Sequence, residues 1–351
     1  MPSIAAVSKI DLPFRINQKS VKEHVRNTFI ANFNELERLL ESFDNSGIEF
    51  RNLCKSLEYY SNPTTFEESN NEYTRCALQN SIAAVNECLS LAKVTGDDIT
   101  DVLFVSSTGL ATPTLDALII NKLRLNPHAN RTPIWGLGCG GGVSGIAKAS
   151  VIAKANPDAV VLLITVELCS LTFLRDDYSK SNFIASSLFS DGIAACIVKG
   201  DNQPAVRPVS IIASRSKLYY DTVDVMGWDF LDAGFRVVFS KDIPDFIHKN
   251  IKNDVIEFLS NYQLELSDIK NFVFHPGGKK VLGAYSDALE VKGDFLKTTR
   301  EVMKDNGNMS SATILYVLEK FLYNGYVSGH GLMLAMGPGF SSEMVLLSMN
   351  E

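Results

Sequence analysis

The stretch from Gly136 to Ile146 has the residues of a site for covalent chemistry. A single cysteine, Cys139, lies there among six glycines. A short strand pattern precedes the stretch at residues 132–135, and an apolar helical pattern follows it at residues 146–155. Glycines let the backbone turn tightly and approach a ligand closely. A thiol at the start of a helix feels the positive end of the helix dipole, so we expect a lowered thiol pKa and a nucleophilic Cys139.

Two other interpretations of this stretch compete with a nucleophile. Buried cysteines are common in proteins, and most of them are inert. The glycines at 136, 138 and 141 also match the Gly-x-Gly-x-x-Gly fingerprint of dinucleotide sites, and the next apolar strand ends in Glu167, as such a site requires. However, residues 131–135 include a proline and form a poor strand for that purpose. The stretch alone leaves all three interpretations open.

Two further residues carry the groups that a thiol nucleophile needs. A histidine can act as its base and ion-pair partner, and an amide donor can stabilise an oxyanion. His275 ends a predicted buried strand beside a Pro-Gly-Gly turn, and Asn308 stands at the start of a predicted helix. Taken separately, each has an ordinary explanation, as a turn histidine and as a helix cap. Their significance depends on how the chain brings them together.

The composition is that of a globular enzyme. The 351 residues can bury a large core, and 46% hydrophobic with 21% charged residues is ordinary for such a protein. The net charge of -7 argues against nucleic acid as a partner. Residues 1–15 lack the order of a signal peptide, and the longest apolar run, residues 159–166, is too short to span a bilayer. We therefore expect a cytoplasmic protein without stable membrane insertion.

The metal- and disulfide-forming residues show no organised spacing. The six cysteines are not arranged in pairs, and the five histidines are scattered along the chain. A disulfide framework or a zinc site would need regular spacings of these residues. We expect a reduced protein that uses neither a metal nor a bound cofactor.

Hydrophobic periodicity divides the chain into alternating strands and helices. Strands are predicted within residues 3–16, at 101–106, 132–135, 159–166, within 187–198, and at 271–274 and 331–336. Helices are predicted at residues 20–43, 73–94, 115–125, 146–155, 251–262, 279–289 and 306–321. The first of these helices has one apolar stripe, which includes Phe33. Residues 200–208, rich in glycine and proline, are predicted to connect two halves, 1–205 and 206–351.

The two halves contain an internal repeat. The pair Asp98-Ile99 before one buried strand recurs 170 positions later as Asp268-Ile269, and Asn308 lies 169 positions after Cys139. Each half has a strand, a helix, a Gly-containing loop, a second helix and a further strand. A duplicated β/α unit of this kind implies helices on both faces of each sheet. We therefore expect the Cys139 and Asn308 loops to face one another, with His275 nearby, which a dinucleotide site would not explain.

At these residues the chain resembles the type III polyketide synthases, the chalcone-synthase-like branch of the thiolase superfamily. The matching motifs are Gly138-Cys139 in its glycine-rich turn, Phe274-His275-Pro276-Gly277-Gly278, Gly307-Asn308-Met309-Ser310-Ser311-Ala312 and Gly337-Pro338-Gly339. His275 and Asn308 lie 33 positions apart, as in that family. Residues 166–172 and 226–229 are most similar to the bacterial members. A ketoacyl-ACP synthase III-like enzyme and a catalytically silent thiolase-fold partner protein are the alternatives.

The resemblance implies a fold, an assembly and a reaction. The fold would be the α/β thiolase fold, with α-β-α-β-α layers, in a homodimer that uses acyl-CoA and malonyl-CoA. Cys139 would carry the acyl group as a thioester, and His275 and Asn308 would assist decarboxylation of malonyl-CoA and stabilise the enolate. Repeated condensation and cyclisation would give a pyrone or a phenolic product.

The resemblance also implies binding residues. Phe189 matches a gatekeeper between the CoA tunnel and the reaction chamber, and Thr172 and Cys169 match chamber walls. Aromatic or bulky positions of the plant enzymes are here Gly140, Val237 and Met336, and Gly337 and Gly339 follow beside them. Arg51 and Lys55 match basic positions at the CoA mouth, Lys280 adds a charge nearby, and a third basic position is Ile48. The smaller side chains favour a medium- or long-chain acyl starter.

Overall fold

The strands and helices follow the apolar pattern of the chain closely. The computed structural model describes residues 1–29, 35–204 and 209–350. The strands are β1 Ser3–Lys9, β2 Phe14–Asn17, β3 Phe50–Leu53, β4 Asp101–Ser106, β5 Asn130–Trp135, β6 Val160–Leu168, β7 Asp191–Lys199, β8 Val209–Leu218, β9 Met226–Leu231, β10 Gly234–Phe239, β11 Ile269–Phe274, β12 Gly329–Gly337 and β13 Ser341–Met349. The helices are α1 Gln18–Phe29, α2 Leu36–Asn45, α3 Leu57–Tyr60, α4 Phe66–Ala92, α5 Leu115–Leu123, α6 Gly141–Ala155, α7 Lys180–Leu188, α8 Ile243–Ser260, α9 Lys279–Leu289, α10 Lys297–Asn306 and α11 Thr313–Asn324.

Nine strands form one mixed sheet with two similar halves. The strand order is β11-β12-β13-β8-β1-β7-β6-β4-β5. At one end β4 pairs in parallel with β5 and β6, and at the other end β11 pairs in parallel with β12. Among the described residues, the strands of the two halves pair only where β1 meets β8, through Ser3 opposite Ser210 and Ile4 opposite Val209. A short antiparallel pairing therefore joins the two halves of the sheet.

Alternate residues of the strands face different apolar cores, which stack the chain in five layers. In β4, Leu103 and Val105 face a central core that holds α6 and α11, whereas Val102 and Phe104 face an outer core with α4 and α5. The strands of the second half face the same central core on one side and an outer core with α8 and α9 on the other. This is the predicted α-β-α-β-α arrangement.

The internal repeat is present in three dimensions. A 3-10 turn precedes β4 at Gly96–Asp98 and another precedes β11 at Leu266–Asp268. The predicted strand at 101–106 and the predicted helix at 279–289 have the bounds of β4 and α9. Within the described residues, no helix has the length and apolar character needed to cross a membrane.

Some predicted elements differ from the structure. The single helix predicted at 20–43 is two helices, α1 and α2, and Phe33 lies outside the described residues. The boundary predicted at 205/206 also lies outside them. The helix predicted at 306–321 is interrupted between α10 and α11, because Gly307 and Ser310 adopt positive φ angles of 73° and 47°. Strands β3, β8, β9, β10 and β13 were not predicted.

Candidate active site

Cys139 occupies a tight turn immediately before the central helix α6. The turn is a 3-10 turn at Gly138–Gly140 and its cysteine is 6% exposed. Gly138 has a φ of 45°, and a Cβ there would lie 2.7 Å from Cδ of Pro338. Glycine is therefore required at 138 both for its backbone angle and for the close approach of the Gly-Pro-Gly segment.

The Asn308 loop faces this turn from the other half. The side-chain Oδ1 of Asn308 accepts a hydrogen bond from the Ser310 amide at 2.9 Å, and its Nδ2 donates to the Gly277 carbonyl at 2.8 Å. Ser310 in turn lies against Cys139, because the thiol contacts its Oγ at 3.8 Å. An amide nitrogen has two hydrogens, so Asn308 keeps one donor for a ligand.

His275 completes the predicted set at the end of β11. Its backbone amide donates to the Leu334 carbonyl at 2.8 Å, which fixes it to β12. The side chain is 3% exposed, and neither ring nitrogen has a hydrogen-bond partner among the described residues. The bond from Asn308 to Gly277 ties the loop after His275 to the Asn308 loop. Cys139 therefore contacts the Asn308 loop, and the Asn308 loop is hydrogen-bonded to the loop after His275.

The pKa of the Cys139 thiol differs from the value expected from the sequence. Burial raises the pKa of Cys139 to about 12, and the hydrogen bond to Ser310 only partly opposes this rise. Burial also lowers the pKa of His275 to about 3. The lowered thiol pKa expected from the helix dipole is therefore wrong, because the loss of hydration on burial is the larger effect. At neutral pH Cys139 is therefore a thiol and His275 is a neutral imidazole.

Glu167 is a site residue whose role the sequence did not indicate. Its carboxyl accepts hydrogen bonds from the Ser107 amide at 3.1 Å and from the Ser311 hydroxyl. Ser107 lines the cavity at Cys139, and Ser311 follows Ser310 in the facing loop. Burial raises the pKa of Glu167 to about 7. This side chain bridges the two halves at the floor of the site.

Two adjoining cavities open beside the cysteine. One borders Cys139 and Ser310 and has a volume of about 40 Å³, and a larger, mainly apolar one of about 80 Å³ lies next to it. The two share four wall residues, which are Cys169, Phe189, Trp228 and Val237. Within the described part of the chain, no cluster of His, Cys, Asp and Glu side chains could hold a metal ion.

The predicted pocket residues divide into two groups. Phe189, Cys169, Val237 and Thr172 line the cavities as expected. The other four, Gly140, Met336, Gly337 and Gly339, are not among the wall residues of either cavity.

The positions of that second group explain their absence from the walls. A Cβ on Gly140 would point to Glu343 and the Gly337 backbone, and Met336 packs in the outer core with α8 and α9. A Cβ on Gly337 would meet the Leu137 carbonyl at 2.5 Å, so this glycine allows β12 to reach the cysteine turn. None of these four residues therefore lines either cavity.

Trp228 is the bulky wall residue that the sequence analysis missed. It lines both cavities, and its indole Nε1 donates to the Ser107 carbonyl at 2.9 Å. It lies on the unpredicted hairpin of β9 and β10. The shared cavity wall therefore has a small side chain at Val237 and a large ring at Trp228.

The three residues predicted to bind CoA have different environments. Lys55 forms an ion pair with Glu72 at 3.2 Å, and its Nζ lies 4.8 Å from the ring centre of Tyr59. Lys280 is exposed on α9. Arg51 is instead buried and donates to two backbone carbonyls. Arg51 is also a wall residue of the larger cavity, whereas Lys280 is open to solvent and the Lys55 side chain is 22% exposed.

Comparison with known proteins agrees with the fold and with this site. Residues 60–202 match the family model of chalcone and stilbene synthases, N-terminal domain, and residues 211–350 match that of the C-terminal domain. A Bacillus subtilis (strain 168) protein named "Putative chalcone synthase" is 45% identical over 349 residues, which are 95% of this chain and 95% of that protein. A 1,3,6,8-tetrahydroxynaphthalene synthase of Streptomyces peucetius subsp. caesius is 34% identical over 98% of this chain and 92% of its own length.

The solved structures agree with the sequences. The crystal structure of 1,3,6,8-tetrahydroxynaphthalene synthase from Streptomyces coelicolor A3(2), a bacterial type III polyketide synthase, superimposes with a TM-score of 0.94. It is 27% identical in sequence, with 99% of each chain covered. This chain therefore belongs to the chalcone and stilbene synthase family and is an acyltransferase of the type III polyketide synthase class.

Proposed function

We propose that this enzyme condenses malonyl-CoA repeatedly, with decarboxylation, onto an acyl-CoA starter held on Cys139. We further propose that the preferred starter is a medium- or long-chain fatty acyl group and that the product is an alkylpyrone or an alkylated phenol. The observation that carries the starter proposal is the mainly apolar wall of the cavity that adjoins the space at Cys139.

Loading is the first chemical step. Neutral His275 takes the proton of the Cys139 thiol as the sulfur attacks the thioester carbonyl of the starter. The bond between that carbonyl and the CoA sulfur breaks, and the CoA thiolate recovers a proton from His275. A neutral imidazole has one acceptor nitrogen for this task and one N–H donor for an oxyanion.

Decarboxylation and condensation follow. The bond between the malonyl carboxylate and its methylene carbon breaks, carbon dioxide leaves, and the electron pair forms an enolate on the thioester. The free hydrogen of Asn308 Nδ2 and the N–H of His275 stabilise the enolate oxygen. The enolate carbon then attacks the acyl group on Cys139, and the cysteine sulfur leaves. Lys55 and Lys280 are the proposed contacts for the phosphates of CoA.

The apolar wall of the larger cavity supports an apolar acyl starter. Each methylene buried there contributes about 0.8 kcal/mol, or roughly a fourfold gain in binding. The gain should continue with chain length until the space is full. Trp228 stands between the two cavities and should set the path of the chain.

A second candidate has its own support. The relative that is 34% identical is named for a tetrahydroxynaphthalene, a hydroxylated aromatic product without a long alkyl chain. By this alternative the larger cavity would hold the growing polyketide itself. The starter and the product distinguish the two candidates.

Products formed with a panel of thioesters test the proposal. We expect kcat/KM to rise from acetyl- through hexanoyl- to lauroyl-CoA, and mass spectrometry should detect products that retain the alkyl chain. A preference for coumaroyl-CoA, or full turnover with malonyl-CoA alone, would contradict the long-chain starter.

Two cysteine variants test the nucleophile separately. Cys139→Ala should abolish the acyl adduct in the intact-protein mass. Cys169→Ala, which removes the other cavity cysteine, should retain the adduct. An adduct that disappears only in Cys169→Ala would contradict the proposed nucleophile. Absence of both adduct and turnover in the unchanged enzyme would favour a catalytically silent protein.

A homodimer is part of the proposal. Strand β5 ends the sheet, its outer edge has no strand partner among the described residues, and Trp135 on it is 42% exposed. An exposed edge of this kind is suited to pairing with a second copy. We also propose a cytoplasmic enzyme that needs no bound cofactor or metal.

A further inference from the structure

Arg51 is a buried cation that contacts the segments carrying Phe189 and Asn308. It lies on β3, its side chain is 3% exposed, and its Nη1 donates to the carbonyls of Ser186 at 2.6 Å and Phe189 at 2.8 Å. These carbonyls stand at the end of α7, where the last carbonyls of a helix lack helical partners and a positive charge is favourable. Arg51 therefore caps the helix that leads to Phe189.

The stem of Arg51 packs against the catalytic loop on its other side. A Cβ on Gly307 would lie 3.2 Å from Cγ of Arg51 and 3.4 Å from its Cδ. Gly307 immediately precedes Asn308, and its φ of 73° turns the chain out of α10. The arginine thus touches both the Phe189 segment and the Asn308 segment.

These two segments form one hydrogen-bonded unit. The amide of Asn308 donates to the Leu188 carbonyl at 3.0 Å, and the amide of Ser190 donates to the Asn308 carbonyl at 2.8 Å. Strand β3 is also hydrogen-bonded to this unit, because the amide of Asn52 donates to Ser190 Oγ at 2.8 Å. A displacement of the Phe189 segment would therefore move Asn308.

The charge of Arg51 is not used for an ion pair. No carboxylate lies within ion-pair distance of it among the described residues, and its Nε has no hydrogen-bond partner. Burial lowers its pKa to about 10, so the guanidinium remains charged at neutral pH. A buried charge is costly unless its neighbours compensate it, and here the carbonyls of Ser186 and Phe189 accept its hydrogen bonds. The Asp191 carboxyl also favours the charged form, and the ring centre of Phe43 lies 5.7 Å from the guanidinium carbon.

We propose that Arg51 is a positioning residue for Asn308 and Phe189, and that it does not bind the phosphates of CoA. The proposal replaces the role expected from its sequence position, and it rests on the proposed condensing function. Because Asn308 acts in decarboxylation, loss of Arg51 should impair decarboxylation more than loading of Cys139.

The test compares two thioesters of malonate. Malonyl-CoA carries the nucleotide, whereas malonyl-N-acetylcysteamine has the same reacting end without it. Arg51→Met keeps most of the stem and removes the charge, and Lys55→Met is the matched control at the predicted CoA mouth. We expect Arg51→Met to lower kcat for decarboxylation about 100-fold with both thioesters, as a shift of about 1 Å in a catalytic group would. Lys55→Met should raise KM for malonyl-CoA only.

Loading separates positioning from a loss of structure. Arg51→Met should still acquire an acyl group on Cys139, whereas a general loss of folding would reduce both reactions. If Arg51→Met does not fold, Arg51→Lys carries the test. A single ammonium cannot reproduce the two-carbonyl contact, so Arg51→Lys should lower kcat about tenfold with both thioesters.

Three results would overturn the inference. One is a defect of either arginine variant that appears with malonyl-CoA and vanishes with malonyl-N-acetylcysteamine, which would assign Arg51 to the nucleotide. Another is unchanged kcat in Arg51→Lys with both thioesters. The third is loss of loading in a folded Arg51→Met protein to the same extent as loss of decarboxylation. Failure of the unchanged enzyme to decarboxylate either thioester would instead contradict the proposed function.

Discussion

The contact between the two halves at Gly142 gives a sharp test of the site. Gly142 is the second residue of α6, directly after the cysteine turn. A Cβ at this position would lie 2.3 Å from the Ser311 carbonyl oxygen and 2.4 Å from Cγ2 of Ile314. Replacement of Gly142 by alanine therefore forces the cysteine turn and the asparagine loop apart.

The size of that displacement follows from the contact distance. A carbon and a carbonyl oxygen in contact are about 3.3–3.6 Å apart. The Ser311 carbonyl must therefore move by roughly 1 Å, and Asn308 lies three residues away in the same loop. A misplacement of this size costs about 100-fold in rate, and overpacking of a core costs about 1–3 kcal/mol of stability.

The assay pairs Gly142→Ala with Gly283→Ala. Gly283 is in helix α9, and a Cβ there has no atom within 4 Å. We expect Gly142→Ala to lower the rate of decarboxylative condensation about 100-fold and to lower the urea midpoint. Gly283→Ala should retain activity and gain up to about 1 kcal/mol, because alanine is the better helix former.

Wild-type turnover in Gly142→Ala would refute the reasoning. If the urea midpoint fell while turnover was unchanged, the contact would be real but would not set the spacing of the catalytic groups. A similar loss in Gly283→Ala would show that any added methyl group harms this protein.

Two further predictions concern protonation. Glu167→Gln should flatten the pH dependence of stability: folding raises the pKa of this carboxyl from 4.5 to about 7, so the wild-type protein loses free energy of unfolding as pH rises through that window. The loss is about 3 kcal/mol at most, and urea unfolding at pH 5 and pH 8 measures it; equal pH slopes in both proteins would contradict the assignment. Alkylation of Cys139 by iodoacetamide should be slow at pH 7 and still rising above pH 9, since burial raises its pKa to about 12. A rate that levels off below pH 8 would show a preformed ion pair with His275.

The proximity of the loops that carry the proposed catalytic residues was predictable because the sequence signals are local and repeated. Cys139 stands before a helix in a run of glycines, and Asn308 occupies the equivalent loop 169 positions later. Apolar strands before each loop fix which end of the sheet the loops occupy. The two 3-10 turns then meet in the centre of the fold, as the repeat requires.

The remaining site residues depend on contacts that no local pattern contains. Arg51 looks like a solvated arginine in the sequence, yet its carbonyl partners lie 135 and 138 positions away. Glu167 binds groups 60 and 144 positions away, and the amide of Ser107 is one of them. Trp228 reaches the cavity from a hairpin with no apolar alternation strong enough to predict it. Only the assembled fold brings these groups to the site.

The failed prediction for the thiol shows how local and global effects compare. A helix dipole changes the energy of a nearby charge by about 0.3–1 kcal/mol, which is less than one pKa unit. Burial raises the pKa of Cys139 from 9.0 to about 12, equivalent to about 4 kcal/mol, so desolvation dominates. The same burial keeps His275 neutral. A buried site that keeps Cys139 a thiol and His275 a neutral imidazole makes charge costly there. The proposed reaction therefore needs a donor, such as the second hydrogen of Asn308 Nδ2, for the charge that it creates.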